Sequence, residues 1–233
     1  YHIVLKQLRL HRDKLVRILQ IGVPAGLQGA IFSISNVLIQ SSINSFGSIT
    51  MAGNAAAVNI EGFVFTSCNS VAQASLTFTS QNLGAGLYKR LRGITIWCLV
   101  LGVLLAEITG FIAYGFGTPL LSFYNKDAEV ISMGLIRLMI VGTTYGLDAI
   151  MDVLADIIRG MGSSVLPMIV TLIGACGFRV VWIYTVFAAH HDLRVLYISY
   201  PISWILTSLT HLVCYFIVKR RRLRGVMEGV PSV

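Results

Sequence analysis

Six long apolar segments dominate this chain of 233 residues. Each is long enough to cross a bilayer as a helix, because spanning the hydrocarbon core takes about 20 apolar residues. Only 12% of the residues are charged and 55% are hydrophobic, whereas soluble domains carry roughly 25% charged residues. We therefore predict an all-α polytopic membrane protein, a six-transmembrane-helix bundle with spans near 15–40, 52–81, 94–116, 130–158, 166–188 and 196–218.

Both ends of the chain are basic. In residues 1–15, apolar side chains alternate with Lys and Arg, which is typical of a helix lying in the headgroup plane. We predict that this segment is an amphipathic cytoplasmic interfacial helix, followed by a transmembrane lobe over 16–218 and a basic cytoplasmic tail over 219–233. The first residue is Tyr1 rather than Met, so we expect a fragment or a processed chain.

The positions of Lys and Arg predict the orientation. With the N-terminus inside, the cytoplasmic segments hold fourteen of these cations, and the outer loops hold only Lys126 and Arg194. Short loops rich in Lys and Arg stay in the cytoplasm. We therefore expect a multi-pass protein of the cell (inner) membrane with both termini cytoplasmic. Because the net charge of +8 comes from cations at the ends of apolar segments, we expect no nucleic-acid partner.

Eight ionisable side chains lie inside the apolar segments. A charge at the bilayer centre costs roughly 2.5–3.5 kcal/mol on insertion scales. These side chains are therefore expected to face a protein interior or a water-filled cavity. They are Glu61, Glu107, Arg137, Asp148, Asp152, Asp156, Arg179 and His211.

Three of these carboxylates form a stripe in the fourth segment. Asp148, Asp152 and Asp156 are spaced four residues apart, so they share one helix face. Because three ionised carboxylates on one face repel one another, we expect at least one to hold a proton or a metal cation. We predict a coupling-ion role for Asp148, a coupling or structural role for Asp152, and a salt bridge from Asp156 to Arg159 at i+3.

Glu61, in the second segment, leaves two interpretations open. It is either a second coupling carboxylate that shares a cavity with Asp148, or one partner of a salt bridge with Arg137 or Arg179. For Glu107, isolated among leucines, we expect a structural role.

The histidines give little indication of metal chemistry. We expect His211 to be hydrogen-bonded in the core. The His190–His191 pair lies in an outer loop without further ligands, so we expect no metal site. The only ion we expect to be required is H⁺ or Na⁺ as a coupling ion, and we expect no cofactor.

Neutral polar residues are frequent in the first two segments. We predict that Gln28, Asn36, Gln40 and Asn59 line a water-filled pocket that takes amphipathic organic cations. Pro24 and Pro201 lie inside predicted helices and are expected to act as hinges. Membrane lipid is the expected surrounding partner.

Four short motifs resemble those of multidrug and toxic compound extrusion (MATE) transporters. They are Ile21–Gln28, Ser41–Gly47, Gln81–Gly86 and Leu154–Gly162. The resemblance implies one lobe of a twelve-helix antiporter that expels cationic drugs in exchange for sodium or protons. The resemblance implies that this chain is the C-terminal lobe, which contains helices seven to twelve. Residues 1–15 would then link it to an N-terminal six-helix lobe. The other partner we consider is a second copy of the chain.

The resemblance also implies roles for individual residues. The family's aspartate in the tenth helix, eleven residues before an Arg-Gly motif, matches Asp148 before Arg159. The cation-binding glutamate that some members carry in the seventh helix would fall near Phe32 or Ser33 and is absent here. That departure argues against a sodium site of that type, and Glu61 is the candidate replacement.

Three other functions were weighed. A flippase for lipid-linked precursors would need a more cationic cavity than Arg137 and Arg179 supply. A membrane-embedded enzyme would need a nucleophile–base pair or a metal cluster at one depth, and the sequence offers neither. An assembly subunit without a substrate is the third. We therefore predict a transporter lobe and not an enzyme.

Overall fold

The computed structural model describes residues 11–227, in which helices are joined by short connections and no residue is in a β-strand. The helices are α1 (Arg12–Asn44), α2 (Ser48–Gly84), α3 (Leu91–Gly115), α4 (Gly117–Ser122), α5 (Ala128–Ile140), α6 (Tyr145–Gly160), α7 (Val165–Thr171), α8 (Phe178–Trp182) and α9 (Leu193–Met227). Single 3₁₀ turns lie at Tyr88–Arg90 and Gly142–Thr144. Two π-helical stretches, Leu172–Gly177 and Ile183–Phe187, flank α8. The all-α prediction is confirmed.

These elements form six long helical rods. The 3₁₀ turn at Gly142–Thr144 joins α5 to α6 in the fourth rod. In the fifth rod, the first π-helical stretch joins α7 to α8 and the second one continues from the end of α8. Each predicted span falls within one rod, except that the ends of the third and fifth spans run past their helices by a single residue.

Five rods are long and apolar enough to cross a membrane. They are Arg12–Asn44, Tyr88–Gly115, Ala128–Gly160, Val165–Phe187 and Leu193–Arg222. The remaining long rod, α2, has 37 residues, but its many Asn, Gln, Ser and Thr side chains lower its hydropathy. Because α2 packs against α3, α5 and α6 in the middle of the bundle, the protein supplies the environment that lipid supplies to a more apolar helix.

The core is built around α6. Its side chains Val153, Leu154, Ile157 and Ile158 are all buried between α2, α3 and α9. Polar side chains join the same interfaces, since the Ser75 hydroxyl donates to the Val153 carbonyl at 3.4 Å. Interhelical hydrogen bonds and close packing stabilise helices in lipid, where the hydrophobic effect does not draw them together.

Glycine permits the closest helix contact of α2. A Cβ on Gly53 would lie 2.5 Å from the Val130 carbonyl oxygen and 2.9 Å from the Gly134 nitrogen. No side chain fits there, so the backbones of α2 and α5 touch. This contact fixes the spacing between the helices that carry Glu61 and Arg137.

The connections alternate between the two ends of the bundle, as expected for antiparallel rods. At one end, Ser45 Oγ and His191 Nε2 are 3.1 Å apart and the His191 ring stacks on Phe46. At the other end, the Arg222 side chain lies against Gly162. Which end faces the cytoplasm stays a prediction from the charges. The predicted interfacial segment lies outside the described residues over 1–10, as does the tail over 228–233.

Candidate functional site

A cavity of about 690 Å³ lies between α1, α2, α5, α6, α8 and α9. Among the described residues, its wall carries seven acidic or basic side chains that the sequence places in or at the end of apolar segments. They are Glu61, Arg137, Asp148, Asp152, Asp156, Arg159 and Arg179. Six of the eight ionisable side chains expected to face a protein interior or a water-filled cavity line this cavity, and Glu107 and His211 are not among its lining residues in the described part of the chain.

The aspartate stripe of α6 faces this cavity along its length. Asp148 is only 6% exposed, and Asp152 is half-buried. Neither carboxylate takes part in a salt bridge within the part of the chain that the structure describes. Among the described residues, the stripe therefore brings two carboxylates that make no salt bridge to the cavity wall.

Asp148 follows an interruption in the fourth rod. The α-helix stops at Ile140 and a new one begins at Tyr145. Glu107 on α3 accepts a hydrogen bond from the Gly146 N–H at 3.0 Å, which satisfies one of the free donors at the start of α6. This hydrogen bond agrees with the structural role expected for Glu107, whose carboxylate contacts the first turn of the helix that carries Asp148.

Glu61 belongs to a closed ion-pair network on the opposite wall. It is 2% exposed, and Arg137 donates to its carboxylate from Nε at 3.0 and 3.1 Å and from Nη2 at 2.8 Å. Arg137 Nη1 also donates to Asn54 Oδ1 at 2.9 Å. The salt bridge that the sequence left open as an alternative is therefore present.

Asn54 connects this network to the rest of the bundle. Its Oδ1 also accepts from the Tyr197 hydroxyl at 3.0 Å, and its Nδ2 donates to Gln40 Oε1 at 3.0 Å. Asn54 is not among the predicted site residues. Its position among the small residues 52–57 was the available signal, because close helix packing brings an amide there within reach of neighbouring helices.

Asp156 and Arg159 form the predicted i+3 salt bridge. Arg159 Nη2 also donates to Gln28 Oε1 at 2.9 Å. The contact joins α6 to α1 across the cavity, so Gln28 lies at the wall with its amide oxygen already bound.

Arg179 has different surroundings from the other two cavity arginines. It is 2% exposed, and its Nε donates to Ser203 Oγ at 3.0 Å. The guanidinium carbon lies 4.1 Å from the centre of the Tyr200 ring and 5.8 Å from that of Trp204. Within the described residues, Arg179 makes no salt bridge, and its Nη2 has no hydrogen-bond partner.

The predicted neutral lining is partly right. Gln28, Asn36 and Gln40 line the cavity, whereas Asn59 is on an exposed side of α2 and does not contribute to the cavity formed by the described residues. Asn59 lies two residues before Glu61, and each residue turns the helix by about 100°, so the two side chains point in different directions. The role predicted for Asn59 at the substrate pocket stays a prediction.

Two other polar residues of α2 line the cavity where Asn59 does not. Asn69 and Gln73 line the cavity together with Glu61 and Phe65. The four follow one another at intervals of four residues, which is one helix face. Extending the period from Glu61 would have found them in the sequence.

The remaining predicted positions are less informative. Pro24 and Pro201 lie inside α1 and α9, which continue through them, and their hinge role stays a prediction. His211 is fully buried, and its Nε2 lies 3.5 Å from both Thr171 Oγ1 and the Pro167 carbonyl oxygen. These two hydrogen bonds are long. In the described part of the chain, no three His, Cys, Asp or Glu side chains are grouped to hold a metal ion.

Comparison with known proteins agrees with this architecture. The family model MatE matches residues 24–185. The probable multidrug resistance protein YoeA of Bacillus subtilis is 22% identical over 228 residues, which are 97% of this chain and 49% of YoeA. The probable multidrug resistance protein NorM of Neisseria meningitidis serogroup B is 29% identical over 154 residues, 66% of this chain and 34% of NorM.

Solved structures show the same fold. The Vibrio cholerae MATE transporter VcmN in its bent form has a TM-score of 0.81 at 18% identity, covering 91% of this chain and 49% of VcmN. A transporter of the MOP superfamily from Pyrococcus furiosus has a TM-score of 0.84 at 15% identity, covering 94% and 50%. This chain therefore spans half or less of the length of these relatives. The chain belongs to the MATE family of multi-pass membrane transporters, which are not enzymes, and it corresponds to one lobe of them.

Proposed function

We propose that this chain is the C-terminal lobe of an antiporter that exports organic cations and drugs in exchange for H⁺ or Na⁺. In this proposal Asp148 and Asp152 carry the coupling ion, and the protein lies in the cell membrane with both termini cytoplasmic. The observation that supports it most is the pair of carboxylates without a salt-bridge partner on the cavity wall.

Competition for these carboxylates gives a physical basis for exchange. A drug cation and a proton or sodium ion both seek the same negative charge, so binding of one weakens binding of the other. Two unit charges about 4 Å apart interact by about 4 kcal/mol at an effective dielectric constant of 20. A coupling free energy of this order is enough to make the two cargoes exclude each other.

The position of Asp148 suggests how ion binding reaches the helices. Asp148 is in the first turn of α6, directly after the 3₁₀ turn at Gly142–Thr144. A charge gained or lost there changes the electrostatics of a helix junction, where the backbone is already irregular. Ion binding would in this way bias the bundle between outward- and inward-facing states.

Glu61 has a different place in this proposal from that of the sequence-based hypothesis. Its carboxylate is neutralised by Arg137 in this state, so it could take a coupling ion only in a state where that salt bridge opens. We therefore assign coupling to the aspartates of α6 and to Glu61 a share in holding α2 against α5.

The flippase alternative is less well supported. Of the cavity arginines, Arg137 and Arg159 are each engaged by a carboxylate, which leaves Arg179 alone to meet an anionic head group. A pyrophosphate would require more positive charge than that.

An N-terminal six-helix lobe or a second copy of the chain is the partner we propose. In the most apolar window of α1, only 6% of the residues are buried, compared with 28–44% in the other four candidate spans. The polar cavity is also lined by α1, so a partner packed against α1 would cover both the helix and the cavity. Native mass spectrometry and crosslinking of the detergent-purified protein would distinguish a partner lobe from a homodimer.

Transport by the full-length protein that contains this chain tests the assignment. Proteoliposomes loaded with ethidium are given a proton gradient or a sodium gradient, and efflux is compared for the wild type, Asp148→Asn and the control Asp13→Asn, which changes an exposed aspartate of α1. We expect Asp148→Asn to lose gradient-driven efflux and Asp13→Asn to keep it. Unchanged efflux and ion dependence in Asp148→Asn would show that Asp148 does not couple transport.

A further inference from the structure

The end of the bundle where α3 begins and α9 ends carries an excess of positive charge. Around these two helix ends, the described cations are Lys89, Arg90, Arg92 and residues 219–222. Neither the first four turns of α3 nor any part of α9 contains Asp or Glu. None of these cations forms a salt bridge with another described residue. The described part of the chain therefore leaves this charge uncompensated.

A directed chain of hydrogen bonds joins α3 to α9 at this end. Lys219 Nζ donates to the Tyr215 hydroxyl at 3.1 Å and lies 5.2 Å from the centre of the Tyr215 ring. The Tyr215 oxygen is in turn 3.1 Å from Thr95 Oγ1. The hydroxyl proton of Thr95 is donated to the Leu91 carbonyl at 2.8 Å. The Tyr215 hydroxyl therefore donates to Thr95 and accepts from Lys219, which fixes the position of the ammonium group.

This ammonium group and a guanidinium lie on the two sides of the junction between α3 and α9. Arg92 precedes Thr95 by three residues, which places it about one turn nearer the basic end on the same side of α3. Lys219 follows Tyr215 by four residues, which places it one turn nearer the same end on α9. Lys219 uses one N–H donor on Tyr215, and an ammonium has further donors to offer. An anion between the two cations would use these donors and remove the repulsion of like charges.

Apolar side chains continue from both cations along the outside of the bundle. On α3, Ile96 lies one turn deeper than Arg92 and is exposed. On α9, Phe216 and Leu212 lie about one and two turns deeper than Lys219 and are also exposed. In a bilayer, acyl chains cover such side chains, whereas a soluble anion would gain nothing from them. The combination of cations and adjoining apolar surface therefore fits a phospholipid better than free phosphate.

We propose that the junction of α3 and α9 binds the phosphate of an anionic phospholipid, with Arg92 and Lys219 as its cationic ligands. The acyl chains lie along the exposed apolar side chains of the two helices, and Tyr215 positions Lys219 for the phosphate. In the described part of the chain, none of these three residues lines the polar cavity. The lipid site is therefore separate from the proposed coupling site and does not rest on it.

Two lipids with the same acyl chains and different head groups test this site. The full-length detergent-purified protein is titrated with dioleoyl phosphatidylglycerol or dioleoyl phosphatidylcholine, and bound lipid is counted by native mass spectrometry. The choline group of the second lipid offsets the charge of its phosphate. We expect the wild type to bind phosphatidylglycerol more tightly by about tenfold, because each Lys or Arg near an anionic head group strengthens binding by about fivefold.

Matched charge removals locate the site. Arg92→Gln combined with Lys219→Gln removes both ligands and is expected to weaken binding of phosphatidylglycerol by about tenfold. The control Arg12→Gln with Lys14→Gln removes two exposed cations of α1. We expect the control to change this affinity by less than about twofold, since salt screens distant exposed charges. Arg92→Lys combined with Lys219→Arg keeps both charges and is expected to retain most of the affinity.

Three results would overturn the proposal. One is a wild type that binds the two lipids equally, a measurement that does not depend on any variant folding. Another is a double variant of Arg92 and Lys219 that loses no more affinity than the α1 control, which would place the anion elsewhere. The third is displacement of phosphatidylglycerol by an equal concentration of inorganic phosphate, which would indicate a site for soluble anions. Ethidium efflux in Asp148→Asn is measured separately, so failure of the lipid site is distinguishable from failure of the proposed function.

Discussion

The ion pair between Glu61 and Arg137 allows a quantitative test of how the bundle is held together. Its side chains are only 3% and 7% exposed, and three hydrogen bonds of 2.8–3.1 Å join them. In Glu61→Gln the amide oxygen can still accept one hydrogen bond, but the guanidinium of Arg137 is left buried with no counter-charge.

Removing one partner of a buried pair typically costs about 3–5 kcal/mol, because an uncompensated charge remains. Since Asn54 still accepts from Arg137 Nη1, we expect Glu61→Gln to lose about 3 kcal/mol of unfolding free energy, the lower end of that range. The double variant Glu61→Gln with Arg137→Met removes both charges. We expect it to regain at least about half of the loss.

Denaturation in mild detergent, followed by intrinsic tryptophan fluorescence, measures these differences. Asp13→Asn is the matched control, because Asp13 and Lys14 form an ion pair 3.7 Å apart with both side chains at least 70% exposed. Breaking an exposed pair should cost about 0–1 kcal/mol. The reasoning is refuted if Glu61→Gln costs no more than this control, or if the double variant is as unstable as the single one.

Three further predictions concern packing, capping and topology. Gly53→Ala should lower the unfolding free energy by about 1–3 kcal/mol, because its Cβ would lie against backbone atoms of α5. The control Gly93→Ala places its Cβ in open space and should leave the unfolding free energy unchanged. Equal stability of the two variants would contradict the close contact. Glu107→Gln keeps an acceptor for the first turn of α6 and should lower the unfolding free energy only slightly, whereas Glu107→Leu should lower it by about 0.5–2 kcal/mol. The same chemical denaturation compares the two variants. Equal losses of unfolding free energy would disprove the capping role. A membrane-impermeant maleimide added to intact cells should label Arg194→Cys in the outer loop and should not label Ser163→Cys on the cytoplasmic side. The native cysteines are buried, so they should add little background labelling. The opposite pattern would contradict the proposed orientation.

Much of the fold follows from periodicity and hydropathy in the sequence. The apolar segments are long, and their boundaries carry turn residues, so the rods were predictable to within a few residues at most ends. The interruption after Ile140 was not predictable in the same way. The helix that begins after it contacts Glu107, which lies 39 residues from Gly146 in the chain, and no local signal in the sequence links the two.

The candidate site was also predictable only where the contacts are local in the sequence. The stripe from Asp148 to Asp156 was predictable, because spacing within a helix determines which side chains share a face. The partner of Glu61 was not, since Arg137 is 76 residues away and the choice between Arg137 and Arg179 depends on how α2 packs against α5. The Gly53 contact between those helices decides it.

Proton release on ligand binding tests the central claim most directly. The heat of binding of ethidium is measured by titration calorimetry in buffers of different ionisation enthalpy, with and without sodium. We expect the full-length wild type to release about one proton or to lose affinity as sodium rises, and we expect Asp148→Asn to do neither. Identical proton release and sodium dependence in the two proteins would contradict the assignment of the coupling ion to this carboxylate.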